Sequence, residues 1–208
     1  MGAKTQYAIG IDLGGTDIKA ALVTPSGEID TVIKRTTPVE SGADGIADRI
    51  AGMVHDLKDG RGLTPQSLTG VGIGVPGVTT AEGTVVLAPN LNWHHIPFKQ
   101  ILEGRLNLRV EIDNDASVAA LGEARLGAGA GCDSLVLLTL GTGIGGGIVL
   151  DGKLYTGMTQ LLSALDAGSP QLSQLSRQSP PPTPSQGGAP LHCLTHRNTP
   201  RNEIRKHL

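Results

Sequence analysis

Apolar positions along the first 150 residues alternate between runs of period two and runs of helical period. Tyr7 to Leu13, Ile18 to Val23 and Thr31 to Thr36 read as three strands. Their links, Gly14-Gly15 and Pro25-Ser26-Gly27, are too short for a crossover, so the three predict an antiparallel meander. A helix is expected from about Ser41. It sets Ile46, Ile50, Met53, Val54 and Leu57 on one face, turns Asp48, Arg49, Asp56 and Lys58 mostly to water, and ends at Gly60 and Gly62. Gly70 to Val75 follows as a strand closed by Pro76-Gly77. Then come a strand at Arg109 to Ile112, a helix at Ala116 to Leu126 and a long buried strand at Ser134 to Leu140. A hairpin at Asp151-Gly152 closes the ordered pattern, which as a whole predicts an α/β domain.

After Met158 neither period continues. Seven of the 13 prolines lie in the last fifty residues, including Pro180-Pro181-Pro182, with Ser and Gln between them. Such a stretch buries too little apolar surface to offset an ordering entropy of roughly 1–2 kcal/mol per residue. The expected division is therefore an ordered 1–158 and a disordered tail, 159–208. One apolar cluster, Leu161 to Leu165, offers a short helix from Thr159 to Ala167.

Composition narrows the partners more than it names them. The formal charge of −2 gives no basic footprint, so a nucleic-acid partner is not expected. Only Cys132 and Cys193 are present, which implies no disulfide framework. With no N-terminal apolar leader and no run long enough to span a bilayer, the expectation is a cytoplasmic protein without a membrane partner. Aromatic residues make up 2% of the chain and Trp93 is its one tryptophan, so ring platforms for stacking a sugar are scarce.

Chemistry is suggested by two glycine turns at the ends of strands: AIGIDLGGTDIK, Ala8 to Lys19, and LVLLTLGTGIGGGIVL, Leu135 to Leu150. Each brings Gly and Thr to a strand end, where backbone N–H groups and hydroxyls can approach a polyphosphate with no Cβ in the way. Asp12 stands where a Mg²⁺ on those phosphates needs a charged oxygen. The second turn leads into a strand at Ile148 to Leu150 and not a helix, which disfavours a nicotinamide site. No Gly-Lys-Ser or Gly-Lys-Thr makes it a Walker A loop. Asn114 and Asp115, in EIDNDASVAALGEA, fall where a buried strand gives way to a helix, and both side chains are expected at the mouth of the sheet. A carboxylate there suits a general base toward a substrate hydroxyl, while either residue also suits the helix N-cap. Gly74, Pro76 and Gly77 make a tight turn that either reverses the chain or lets backbone amides reach a ligand. Asn90 either binds a sugar hydroxyl or stabilises its own turn. His94-His95 read as a solvated pair.

DLGGT at Asp12 to Thr16 with Lys19, GVPG at Gly74 to Gly77, APNLNW at Ala88 to Trp93, DNDASVAALGE at Asp113 to Glu123 and TLGTGIGGG at Thr139 to Gly147 occur in one order over about 150 residues. In these motifs the chain resembles the bacterial ROK family of sugar kinases, its glucokinases in particular. The resemblance implies the actin-like, ribonuclease-H-like ATPase fold, here its first lobe and the start of its second. It also implies ATP with Mg²⁺ and a hexose as ligands. Asp12, Gly14, Gly15, Thr16 and Lys19 correspond to the first phosphate motif, with Asp12 toward Mg²⁺. Thr139, Gly141, Thr142 and Gly143 correspond to the second. Asn90, Asn114 and Gly77 fall to the sugar, and Asp115 to the base. Ser117 stands where the family usually has a second Asn.

The chain departs from the family after Thr159, where a Glu-x-Gly-His segment and the His and three Cys of a zinc site are expected and do not occur. His192, Cys193 and His196 do not replace that site, because adjacent ligands chelate poorly and a fourth is lacking. A kinase lobe followed by unrelated sequence, as from a shifted frame or a truncated gene, is the expectation, with weak or no activity. Family dimer contacts lie largely in the missing portion, so none is implied here. Two other readings stay open: a remnant that binds only nucleotide, and a sugar-responsive regulator without a DNA-binding domain, since the first strand starts at Tyr7 with no room for one upstream.

Overall fold

The computed structural model describes residues 6–140, 144–155 and 191–196. The chain divides into two compact units, Met1–Val118 and Ala119–Leu208.

In the first unit β1 (Tyr7–Leu13), β2 (Asp17–Val23) and β3 (Ile29–Thr36) form the meander that their short links require. Helix α1 (Gly42–Gly60) follows, then β4 (Leu68–Val75). A small antiparallel sheet comes next: β5 (Val78–Thr79), β6 (Val85–Ala88) and β7 (Trp93–Ile96). Helix α2 (Phe98–Leu106), β8 (Val110–Asn114) and the start of α3 (Asp115–Leu126) complete the unit. The main sheet has the order β3-β2-β1-β4-β8, with β4 and β8 parallel to β1.

Period-two alternation gives this sheet one apolar face. Ile9, Ile11, Leu13, Ile73 and Val75 are buried there with Ile46, Ile50 and Met53 of α1 and with Phe98 and Leu102 of α2. Arg105 fastens α2 to α1 through Asp44 (2.6 Å) and Asp48 (2.7 Å). Trp93 and Phe98, with ring centroids 4.5 Å apart, fill the part of the core next to the small sheet.

In the second unit β9 (Ser134–Leu140), β10 (Ile144–Leu150) and β11 (Lys153–Leu154) pair antiparallel, and the β10–β11 turn is Asp151-Gly152, as the sequence predicts. Strand β10 begins earlier than expected: Gly145, Gly146 and Gly147 belong to it and do not merely lead into it. Close approach is the reason, since a Cβ on Gly146 would lie 3.0 Å from the Leu137 carbonyl. Of the expected tail, the structure describes β12 (Leu191–His196), which pairs antiparallel with β9. This strand runs against the expectation of disorder at those six residues. Backbone pairing to an open strand edge needs no favourable composition, which is why Ser, Pro and Gln content did not reveal it. Residues 159–167 and 180–182 lie outside the described residues. Among the described residues no helix is long and apolar enough to cross a membrane.

Candidate active site

Strand parity places the candidate chemistry on the second face of the main sheet. Asp12 pairs with Lys19 on β2 and Gly74 on β4, and Gly74 pairs with Asp113 on β8, so these four form one row across four strands. The row lies at the carboxyl ends of the three parallel strands, where open α/β sheets form ligand crevices. Asp12 and Lys19 are joined at 3.2 Å, and each exposes 58% of its side chain. A pair this wet is weak, worth about 0–1 kcal/mol, so a competing cation can take the carboxylate. An exposed hard oxygen beside a phosphate turn suits Mg²⁺, which binds through one or two carboxylates together with substrate phosphates.

The turn after β1 is shaped by its glycines. Gly14 N–H donates to the Asp17 carbonyl at 2.9 Å, and a Cβ on Gly14 would lie 2.9 Å from that same oxygen. A Cβ on Gly15 would lie 3.3 Å from both the Cβ and the carbonyl oxygen of Asn90. The structure thus brings Asn90, exposed on a single 3₁₀ turn (Pro89–Leu91), against the tip of the first phosphate turn. Thr16 is exposed at that tip.

Asn114 and Asp115 part company. Both were expected at the mouth of the sheet, yet Asn114 is 1% exposed. It follows Val110 and Ile112 on the core face by parity, and its side chain is spent on structure. Oδ1 accepts the N–H groups of Ala116 (3.0 Å) and Ser117 (3.2 Å), and Nδ2 donates to the Gly77 carbonyl (2.9 Å). Asn114 is therefore the cap of α3. Asp115 opens that helix and is exposed. Its Oδ1 accepts the neighbouring Ala116 N–H at 2.8 Å. Partial burial raises its pKa above the ordinary aspartate value and the negative charge of Asp12 adds to the rise; the Ala116 N–H opposes it. Gly74 allows this arrangement, because a Cβ there would stand 3.2 Å from the Asp115 Cα and 3.8 Å from the Val118 Cβ. The first turn of α3 consequently lies against the Asp12 side of the sheet.

Gly77 does not offer open backbone. Its φ is +143°, and a Cβ would run into the Leu87 carbonyl and Ala88 of β6, so the glycine serves close packing of the small sheet. Asp113 Oδ1 accepts from Thr79 Oγ1 (3.2 Å) and Asn114 N–H (2.7 Å), tying that sheet to the end of β8. His94 and His95 are both exposed on β7, as a solvated pair would be. In the second unit Thr139 is half-buried on β9, between Gly145 and Leu191 in register. Gly141, Thr142 and Gly143 lie outside the described residues, as do the side chains of His192, Cys193 and His196. Among the described residues no three His, Cys, Asp or Glu side chains converge as a metal set. Sequence reasoning missed Thr37, which is 6% exposed and bonded to the first glycine turn across 23 residues.

The model of the ROK family matches residues 8–162. The glucokinase of Halalkalibacterium halodurans is 36% identical over 189 residues, 90% of this chain and 53% of that protein. That stretch is longer than the 158 residues that precede the tail, so it reaches into 159–208. The glucokinase of Thermotoga maritima is 43% identical over 72% of this chain and 46% of its own length. A xylose repressor of Caldicellulosiruptor bescii is 38% identical over 72% of this chain and 38% of its own. Among solved structures, the ROK glucokinase of Streptomyces griseus in complex with glucose and AMPPNP superposes with a TM-score of 0.65 and 43% identity, over 73% of this chain and 46% of that one. The chain spans about half the length of the curated glucokinases it matches. The sheet order and these matches agree on the actin-like ATPase fold, and the chain belongs to the ROK family.

Proposed function

We propose that this chain carries the phosphoryl-transfer site of a ROK sugar kinase of glucokinase type, with Mg²⁺·ATP and a hexose as substrates. One observation carries the reading: Asp115, a carboxylate of raised pKa at the start of α3, lies on the same sheet face as Asp12 and the glycine turn. Asp115 accepts the proton of the sugar hydroxyl as its oxygen attacks the γ-phosphorus. The bond from that phosphorus to the β–γ bridging oxygen breaks, and ADP leaves. Gly14, Gly15 and Thr16 receive phosphate oxygens, and Lys19, released from Asp12, turns its charge to them. Mg²⁺, held through Asp12, supplies charge neutralisation for the phosphates. Asn90 meets a sugar hydroxyl, and Asn114 holds Asp115 in place through the helix cap.

Sugar-dependent ADP formation by the 208-residue chain with a hexose panel tests this, with Asp115→Asn as control. Turnover is expected well below the enzyme median of about 10 per second, because the family's Glu-x-Gly-His and zinc-ligand segments do not occur in this sequence. Stabilisation by Mg²⁺·ATP without ADP formation would instead mark a protein that only binds nucleotide. A second reading, a sugar-responsive regulator, draws on the 38% identity to a xylose repressor. Stabilisation by sugar alone, with neither ADP formation nor a nucleotide effect, would favour it.

A further inference from the structure

Thr37 follows β3 and is 6% exposed. Its hydroxyl donates to the Gly14 carbonyl at 2.7 Å, and its own N–H donates to the Thr16 carbonyl at 2.8 Å. Both acceptors belong to the first glycine turn. A trans peptide points its N–H opposite to its C=O. Drawing the Gly14 carbonyl toward the buried Thr37 hydroxyl therefore aims the Gly15 N–H the other way, out from the turn. Glycine has no side chain to hold such a peptide plane, and an unbraced one is free to rotate.

We propose that Thr37 is a positioning residue for the phosphate turn: its hydroxyl orients the Gly14–Gly15 peptide so that the Gly15 N–H faces a bound polyphosphate. The role rests on the nucleotide reading given above. It asks nothing of Thr37 in contact with the ligand, and the hydroxyl is the part that matters, because the N–H bond to Thr16 continues the β2–β3 pairing in any residue but proline.

The test compares Thr37→Val, which keeps the shape and loses the hydroxyl, with Thr37→Ser, which keeps the hydroxyl. Mg²⁺·ADP affinity is measured by calorimetry well below each variant's melting temperature, beside amide hydrogen exchange over residues 14–16. Thr37→Val is expected to weaken Mg²⁺·ADP about tenfold and to speed exchange at Gly15, while Thr37→Ser stays within about twofold of the parent. A merely structural hydroxyl would lower the melting temperature and leave the affinity of the folded protein alone. Equal affinity for the parent and Thr37→Val overturns the role and leaves the nucleotide reading standing. A parent that binds no Mg²⁺·ADP overturns the nucleotide reading and the role with it.

Discussion

The two faces of the main sheet are built from the same strands and have opposite content. Toward α1 and α2, β1 and β4 present Ile9, Ile11, Leu13, Val71, Ile73 and Val75, all buried. On the other side the same two strands present Gly10, Asp12, Gly72 and Gly74. Fully burying an aliphatic side chain of that size contributes about 1.5–3 kcal/mol, so the first face supplies stability. Glycine supplies none, and inside a strand it weakens the pairing. What the second face gains is clearance: α3 starts directly over Gly74, and Asp115 stands on the side of Asp12. A period of two thus separates the burden of folding from the burden of chemistry within single strands.

That separation predicts that substitutions on the two faces have separable consequences. The largest expected effect is on the site face: Asp115→Asn should reduce sugar phosphorylation about 10²- to 10⁴-fold, the usual contribution of a positioned base, without lowering the melting temperature. Retention of activity within about tenfold of the parent would remove Asp115 from the base role. On the core face, Ile11→Ala or Ile73→Ala should cost about 2–5 kcal/mol in denaturant unfolding and leave Mg²⁺·ADP affinity of the folded fraction unchanged. A drop in that affinity would mean that the faces are coupled. Gly74→Ala sits between these. Its new Cβ would press on the Asp115 Cα at 3.2 Å, so about 1 kcal/mol of stability and about a tenfold loss of turnover are expected, read from melts and steady-state rates.

How legible each face was in the sequence follows from the length of its signal. Strands β1 to β4 and helix α1 carry long runs of one period bounded by Gly and Pro, and the structure moves their ends by only a few residues. Strands β5 to β7 have two to four residues each, too short to show a period. Helix α2 buries only Phe98 and Leu102, and Gly104 interrupts its pattern. Asn114 was within reach: counting by two from Val110 and Ile112 assigns it to the core, and the cap follows from what a buried Asn must bond. Thr37 was not. Its partner lies 23 residues back, and no local spacing records a hydroxyl aimed at another loop's carbonyl.

The smallest expected effect concerns charge on the site face. The raised pKa of Asp115 means that the folded chain holds this proton more tightly than the unfolded chain does. The associated stability is fully present below the ordinary aspartate value of 3.8 and is lost as pH rises through the higher folded value. At neutral pH Asp115→Asn should therefore melt slightly higher than the parent, and below about pH 4 the two should converge. Because the carboxyl is only partly buried and keeps the Ala116 N–H beside it, the gain is limited to a few tenths of a kcal/mol, about 1 °C in a chain of this length. Asp12 contributes to the rise through its negative charge. An Asp12→Asn variant should accordingly bring the Asp115 carboxyl, followed by carbon NMR across a pH titration, back toward the ordinary value without reaching it, since burial is the larger cause. An unchanged titration in that variant would mean that the two carboxylates do not feel one another, and Asp115 would then stand apart from the row that holds Asp12.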